Sequence, residues 1–530
     1  MTTETSEDSH FPSDATSAAR PAPTEASRWF LAAAGATGAI APWLLGGDPV
    51  AAQWVLLAGA VLTLATGWWV RVSCVRTKSG RAAWKAEQLC LWCGAALLAL
   101  MLVQALNSAF RVEVTGETSQ LVQLQPVPWA PQSILDAFDG GGGSLPVFRN
   151  AWRFLLIFGL GWLYAFGLAA GFRERENARR WAQIMGVNAA LLALVSIAHV
   201  AGGAEFTLWF FPGDGGAPGA PVFFHKNHNG AYLAALVALA CGLAGSAKER
   251  SIRRGWECVA LLLWVATVVV DSRVATVCAT LWVLIYAVGR RRAAIRAGQE
   301  PSDRRTWLVT GAVVAVVAGL LAVAGANRAV ARFSGDKETA WDLVRGGNTR
   351  VMIREVGLAM WMDRPLTGWG GGSYANLFGI YQHKVTAMQV YLRALPADAP
   401  RPSGATAKCD WVEFLVEYGV IGLVLMLGIV GVHVRWWLYW RGWKNALPTF
   451  VLLGGLGLLL HACFDSILRN PALLLLFSGM QIAAVRLAAP AKGKRPSSRS
   501  RRTGDPSSRP TPAAAAEGEA DAERDEDEGE

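Results

Sequence analysis

Asn348-Thr-Arg350-Val-Met-Ile-Arg354, then Trp361-Met-Asp-Arg-Pro365-Leu-Thr-Gly368-Trp-Gly370-Gly-Gly372-Ser-Tyr374, leads to Lys408-Cys-Asp410-Trp411 and straight into an apolar run, Val412 to Val434. Another apolar run, Trp307 to Ala324, lies before it. Between them, residues 327–411 form a polar insert of about eighty residues, where ordinary connections take about 2–8. Inserts of that length are either functional or unstructured. This one carries tryptophans, tyrosines and an amphipathic run from Val351 to Met362, so it reads as ordered. The fold is then a membrane bundle with one large polar insert.

Composition agrees. The chain has 530 residues, 53% hydrophobic and 17% charged. Apolar runs of about 20 residues recur, the length that crosses a hydrocarbon core. The fold class expected is an all-α polytopic membrane protein. About twelve transmembrane helices are expected, with the large periplasmic loop between the ninth and tenth. The net charge of +10 sits in short clusters beside the apolar runs, which points to membrane topology and not to nucleic acid. Eight cysteines follow no framework and lie mostly within apolar runs, as buried thiols do.

Residues 1–27 read as a polar tail, and their acidic opening lacks the basic region of a signal peptide. Residues 28–326 hold the first nine expected spans, residues 412–488 the last three, and 489–530 a second polar tail. Cations cluster at Arg71 to Lys85, Arg173 to Arg180, Lys248 to Arg254 and Arg290 to Arg292. With alternating spans, all four clusters fall on one side. That side is the cytoplasm by the positive-inside rule, so both termini are expected there. The polar loop from Asn107 to Asn150 and the insert then face outward. No internal repeat is visible, which weighs against a transporter built from duplicated halves.

Ionisable groups at the outer ends of the spans are the candidates for function. They are His225-Lys-Asn-His228-Asn229, Arg273, Arg350, Lys408, His461, Asp465 and Arg469. Together they describe a cation-rich pocket at the outer leaflet. Such a pocket suits an anion with an apolar tail, and a lipid-linked pyrophosphate fits. Arginine binds phosphate oxygens bidentately and stabilises a leaving pyrophosphate. A metal is not expected, since the carboxylates near the membrane look few and scattered. Gly370-Gly-Gly372 lacks a Walker lysine and reads as the terminator of the amphipathic helix.

These residues carry a resemblance to the O-antigen ligase family, membrane enzymes that move a glycan from undecaprenyl pyrophosphate to an acceptor. Phe224-His-Lys-Asn227-His-Asn229-Gly-Ala-Tyr232-Leu233 is similar to the family's Asn-rich entry to a central span. Asp271-Ser-Arg273 is similar to its Ser-Arg turn. Arg350, fifteen residues before Pro365-Leu-Thr-Gly368-Trp-Gly370, resembles its loop arginine and Pro-Leu-x-Gly-x-Gly. Lys408 to Gly422 resembles its His-Asn-x-Tyr-Leu-Gln…Glu-x-Gly-x-x-Gly block, and His461 to Pro471 resembles, more loosely, its last hairpin.

The resemblance implies glycosyl transfer at the periplasmic face of the bacterial inner membrane, without nucleotide sugar, cofactor or metal. The donor would be an undecaprenyl-pyrophosphate-linked glycan, and the acceptor a lipid A core, a glycan or a protein. Arg273 and Arg350 would hold the pyrophosphate, with Arg354 and His228 beside them. The sequence departs from the family at its proposed base, a histidine. Lys408 stands there, next to Cys409, and Arg354 replaces a tryptophan. Lys408 is then either the base or a third phosphate ligand. In the second case Asp410 is the nearest candidate base, ahead of Glu417, which reads as a loop anchor. The competing functions are a transporter or flippase for a polyprenyl-linked glycan and a non-catalytic relative.

Overall fold

Among the described residues, each long apolar run forms a helix, as a chain without water to satisfy its backbone must. The computed structural model describes residues 24–73, 78–115, 118–136, 150–203, 220–296, 298, 338–395 and 406–490. The bundle contains α1 (Glu25–Ile40), α2 (Val50–Ser73), α3 (Lys78–Leu106), α4 (Ala151–Gly171), α5 (Arg175–Ala201), α6 (Lys226–Ser246), α7 (Arg250–Val269) and α8 (Arg273–Arg296). The insert supplies α9 (Glu338–Asp363), α10 (Ser373–Tyr381) and α11 (Thr386–Ala394). The bundle closes with α12 (Asp410–Tyr439), α13 (Ala446–His461) and α14 (Pro471–Ala488).

Eight helices are long and apolar enough to cross a membrane: α2, α3 from Glu87, α4, α5, α6, α8, α12 and α14. Three further expected spans are helical but shorter or more charged. Helices α1 and α13 have 16 residues each, and α7 carries Arg253, Arg254 and Glu257 near its start. The expected ninth span, Trp307 to Ala324, lies outside the described residues. Helix α1 begins at Glu25, inside the stretch that composition assigns to the tail.

Two helices form the centre. Helix α6 is buried from His228 to Ala244, and α14 is buried along nearly its whole length. Small residues make that possible. A Cβ at Gly454 of α13 would stand 2.7 Å from the Ala235 carbonyl of α6, the close backbone approach that glycine permits between membrane helices. Outer helices turn apolar side chains outward, among them Val55 and Leu62 of α2 and Val277 and Leu281 of α8. At one end a buried ion pair joins Glu87 of α3 to Arg486 of α14, and Arg486 also donates to the Ala169 carbonyl at 2.9 Å.

One element departs from the all-α expectation. Part of the loop after α3 forms a three-stranded sheet in the order β2-β1-β3. β1 (Ser108–Thr115) pairs antiparallel with β2 (Thr118–Gln123) and parallel with β3 (Ser133–Asp136). The reason is in Arg111-Val-Glu-Val-Thr115, whose alternation has the period of a strand. Ser108 and Ser133 share a hydroxyl hydrogen bond of 2.7 Å. The sheet also meets the insert, where Arg364 donates to the Gln132 side-chain carbonyl at 2.8 Å.

The insert has a core of its own, built from Met352, Ile353, Val356, Met360, Tyr374 and Phe378 with their neighbours. The Tyr374 hydroxyl donates to the Ile353 carbonyl at 2.9 Å, and Trp369 Nε1 donates to the Met360 carbonyl at 2.8 Å. The described part of the polar stretch is therefore a folded cap on α12.

Candidate functional site

The cap is locked to the bundle at a break in α12. Gly419 has φ 62° and ψ −166°, values closed to other residues. The break frees the carbonyls of Val416 and Glu417 and the N–H groups of Val420 and Ile421. Residues 365–370 take all four. Trp369 N donates to Val416 O at 2.8 Å and Gly370 N to Glu417 O at 2.9 Å. Val420 N donates to Pro365 O at 2.9 Å and Ile421 N to Leu366 O at 3.1 Å. Gln104 of α3 completes the joint, donating to the carbonyls of Thr367 (2.7 Å) and Glu417 (3.0 Å).

The glycines serve this joint, which corrects the reading of Gly370 to Gly372 as a helix terminator. Helix α9 already ends at Asp363. Gly368 has φ 72°, and a Cβ there would stand 2.5 Å from the Glu417 carbonyl carbon. A backbone can lie against a backbone only where side chains are missing.

The same face of α12 carries Asp410, Glu413 and Glu417, three carboxylates at i, i+3 and i+7, all buried. They are not scattered, as the sequence reading had the carboxylates. They converge on Arg469, which stands just before α14. Arg469 Nε lies 2.8 Å from Glu413 Oε2 and 4.0 Å from Asp410 Oδ1, and Nη2 lies 2.8 Å from Glu417 Oε2. Its guanidinium also covers the Phe154 ring at 4.8 Å. Burial alone would lower the Arg469 pKa, but Glu413 and Glu417 outweigh it and hold the value above the ordinary one.

Each acid also anchors backbone. Asp410 Oδ2 accepts from Ile467 N at 2.7 Å and Leu468 N at 2.8 Å. Glu413 Oε1 accepts from Ser466 Oγ at 2.6 Å and from the Ala407 N–H. The acids thus pin the link between α13 and α14 to the start of α12. Asp410, the candidate base, is enclosed among these partners. Glu417 is bound to Arg469 and sits at the joint with the cap.

The candidate cations gather on the outer side of that link. Lys408 Nζ stands 4.0 Å from Asp465 Oδ1. Asp465 also accepts from Asn227, and His228 Nε2 donates to the Ser466 carbonyl at 2.9 Å. Burial of Asp465 would raise its pKa, but Lys408, Asn227 and His228 together hold it below the ordinary carboxylate value. Arg354 Nη2 donates to the carbonyls of Lys408 (2.9 Å) and Cys463 (3.0 Å), so Arg354 braces the site as much as it lines it. Arg350 is exposed and donates to the Phe464 carbonyl at 3.2 Å. Burial pushes the Cys409 thiol up, which leaves it protonated and unreactive.

Arg273 opens α8 and is exposed. The chain ties it to the cluster through its neighbours. Asp271 pairs with Lys226 at 3.1 Å, and Ser272 abuts Gly230, where a Cβ would stand 2.5 Å from Ser272 Cβ. The N-termini of α6 and α8 therefore lie side by side, which brings two positive helix-dipole ends together. Asp271 and Lys408 hold left-handed φ values of 60° and 53°, a conformation that costs other residues about 1–2 kcal/mol. Such backbones concentrate at functional sites.

The structure thus links Lys408, Arg354, Arg350 and His228 around the 463–466 turn, with Arg273 on the adjoining helix start. It sets Asp410 on the inner side of that turn, facing Arg469. Sequence reading missed Glu413 and the clamp role of Arg469. The spacing of Asp410, Glu413 and Glu417 was the available signal, since three acids on one face of an apolar helix demand a cation. No family model matches the chain, and no curated protein matches it significantly.

Proposed function

We propose that this protein is a membrane glycosyltransferase resembling the O-antigen ligases. It would take a glycan from an undecaprenyl-pyrophosphate carrier at the outer face of the bacterial inner membrane. The observation that carries this reading is the gathering of Lys408, Arg350, Arg354 and two helix N-termini at one end of an apolar bundle. That end offers cations and N–H dipoles to phosphate oxygens, while the outer helices offer apolar flanks to an isoprenoid tail.

In this reading Arg350 and Arg273 hold the pyrophosphate and stabilise it as it leaves. The lost bond is that between the sugar anomeric carbon and the phosphate oxygen. The new bond joins that carbon to an acceptor hydroxyl or amide, whose proton passes to a base. Lys408 is the third phosphate ligand, standing at the same turn as Arg350 and Arg354. Twelve spans, the ninth of them at Trp307 to Ala324, with both termini in the cytoplasm, complete the proposed topology.

The test uses the purified full-length protein in proteoliposomes loaded with an undecaprenyl-pyrophosphate-linked glycan and a lipid A core acceptor. Released undecaprenyl pyrophosphate is measured by mass spectrometry, alongside the lipid-linked glycan of a deletion strain. Transfer predicts release in vitro and accumulation at the outer leaflet of the strain. Accumulation at the cytoplasmic leaflet would instead mean flipping and would sink the proposal.

A further inference from the structure

A cleft opens among α3, α4, α12 and α14. It lies in the part of these helices away from Asp410 and Arg469. Phe158 and Met426 stand between the two places and line both. Its walls are mainly apolar, as the walls of small-molecule sites are.

Two of its lining side chains are out of place in an empty apolar cleft. His433 of α12 is 3% exposed and Gln481 of α14 is 2% exposed. His433 Nδ1 lies 2.7 Å from the Ile429 carbonyl. A carbonyl only accepts, so Nδ1 carries the proton and Nε2 is left as a lone pair. That Nε2 is buried without a partner, and so are both the nitrogen and the oxygen of the Gln481 amide. Unpaired buried polar groups are rare and cost about 1–3 kcal/mol each. Both side chains line one cleft, so a molecule lying in it could meet them.

The polarity of these groups selects it. None of the lining residues is Lys, Arg, Asp or Glu, so a charged headgroup would be buried without a counter-ion. A carbonyl or ether oxygen could accept from Gln481 but would leave the His433 lone pair unmet. A hydroxyl can serve either group, donating to His433 Nε2 or accepting from the Gln481 amide. We infer that the cleft binds a neutral membrane lipid that bears a hydroxyl group on an apolar chain. This site does not depend on the proposed glycosyl transfer.

The experiment uses the full-length protein in phosphatidylcholine nanodiscs and a diazirine-bearing farnesol as the probe. After photolysis, labelled peptides are mapped by mass spectrometry. Labels are expected within residues 90–98, 426–433 or 474–482. Farnesol should compete, and farnesyl methyl ether, which cannot donate, should compete roughly ten-fold less well, the effect of one unmet buried polar group. His433→Phe and Gln481→Leu should each cut labelling by a similar factor. Should His433→Phe fail to fold, Gln481→Leu and the ether competitor still decide. Labelling confined to other peptides would overturn the inference. So would equal competition by the ether, or labelling undiminished in the folded variants.

Discussion

Arg469→Met is the sharpest test of how the site is held. The substitution keeps an unbranched apolar stem over Phe154 and removes the charge. Two contacts of 2.8 Å disappear, to Glu413 and to Glu417, and the approach to Asp410 at 4.0 Å goes with them. Three buried acids then share no cation. Breaking a buried pair from one side costs about 3–5 kcal/mol, because the abandoned charge stays buried. At about 1.4 kcal/mol per factor of ten, the folding equilibrium constant falls by roughly 10²-fold to a few thousand-fold. Equilibrium unfolding in mixed micelles of increasing SDS fraction, followed by tryptophan fluorescence, measures this. The triple variant Arg469→Met, Glu413→Gln, Glu417→Gln should recover much of the loss, since it removes charge from both sides. An Arg469→Met protein that unfolds at the parent's midpoint would refute the clamp, and so would a triple variant no more stable than Arg469→Met.

Gly419→Ala should destabilise by about 1–3 kcal/mol from its backbone conformation alone, and more because its Cβ would stand 2.2 Å from the Leu366 carbonyl oxygen; limited proteolysis between residues 363 and 373 should accelerate as the cap lifts. Arg350→Ala and Arg273→Ala should each cut donor turnover strongly while leaving the unfolding midpoint in place, and lysine at either position should rescue only in part, as it lacks the bidentate fork. Asp465 has a depressed folded value, so its stabilising contribution is whole above about pH 4 and is lost as pH falls through that lower value. Asp465→Asn should flatten the acid limb of stability measured from neutral pH to pH 3.

The bundle was legible because lipid leaves a helix few alternatives, and about 20 apolar residues announce one. The small sheet was passed over because the loop from Asn107 was read by its polarity, while Arg111-Val-Glu-Val-Thr115 kept the period of a strand. The cation cluster was legible as a list of residues but not as an arrangement. Nothing local in the sequence says that Arg354 spends Nη2 on the carbonyls of Lys408 and Cys463. The cap joint was hidden for a related reason. Gly368, Gly370 and Gly419 signal freedom from sterics, and only the fold shows that the freedom is used to press one backbone against another.

Lys408 is the residue at which the sequence departs from the family it resembles, and in the proposed transfer it is either base or phosphate ligand. Lys408 Nζ stands 4.0 Å from Asp465 Oδ1, so its side chain lies beside a carboxylate at the 463–466 turn. Its left-handed backbone places it at the turn into α12, with its carbonyl held by Arg354. That arrangement fixes a cation in space, which is what a phosphate ligand requires. Asp410 is buried, and one of its carboxylate oxygens accepts two backbone N–H groups. Lys408→Arg should therefore retain most turnover, because it keeps a permanent cation, whereas Lys408→Ala should lose turnover and weaken donor binding. Asp410→Asn should lower the unfolding midpoint, as the amide oxygen still accepts from Ile467 and Leu468 but no carboxylate then faces Arg469. A folded Lys408→Arg protein that binds donor normally and does not turn over would return the base to Lys408.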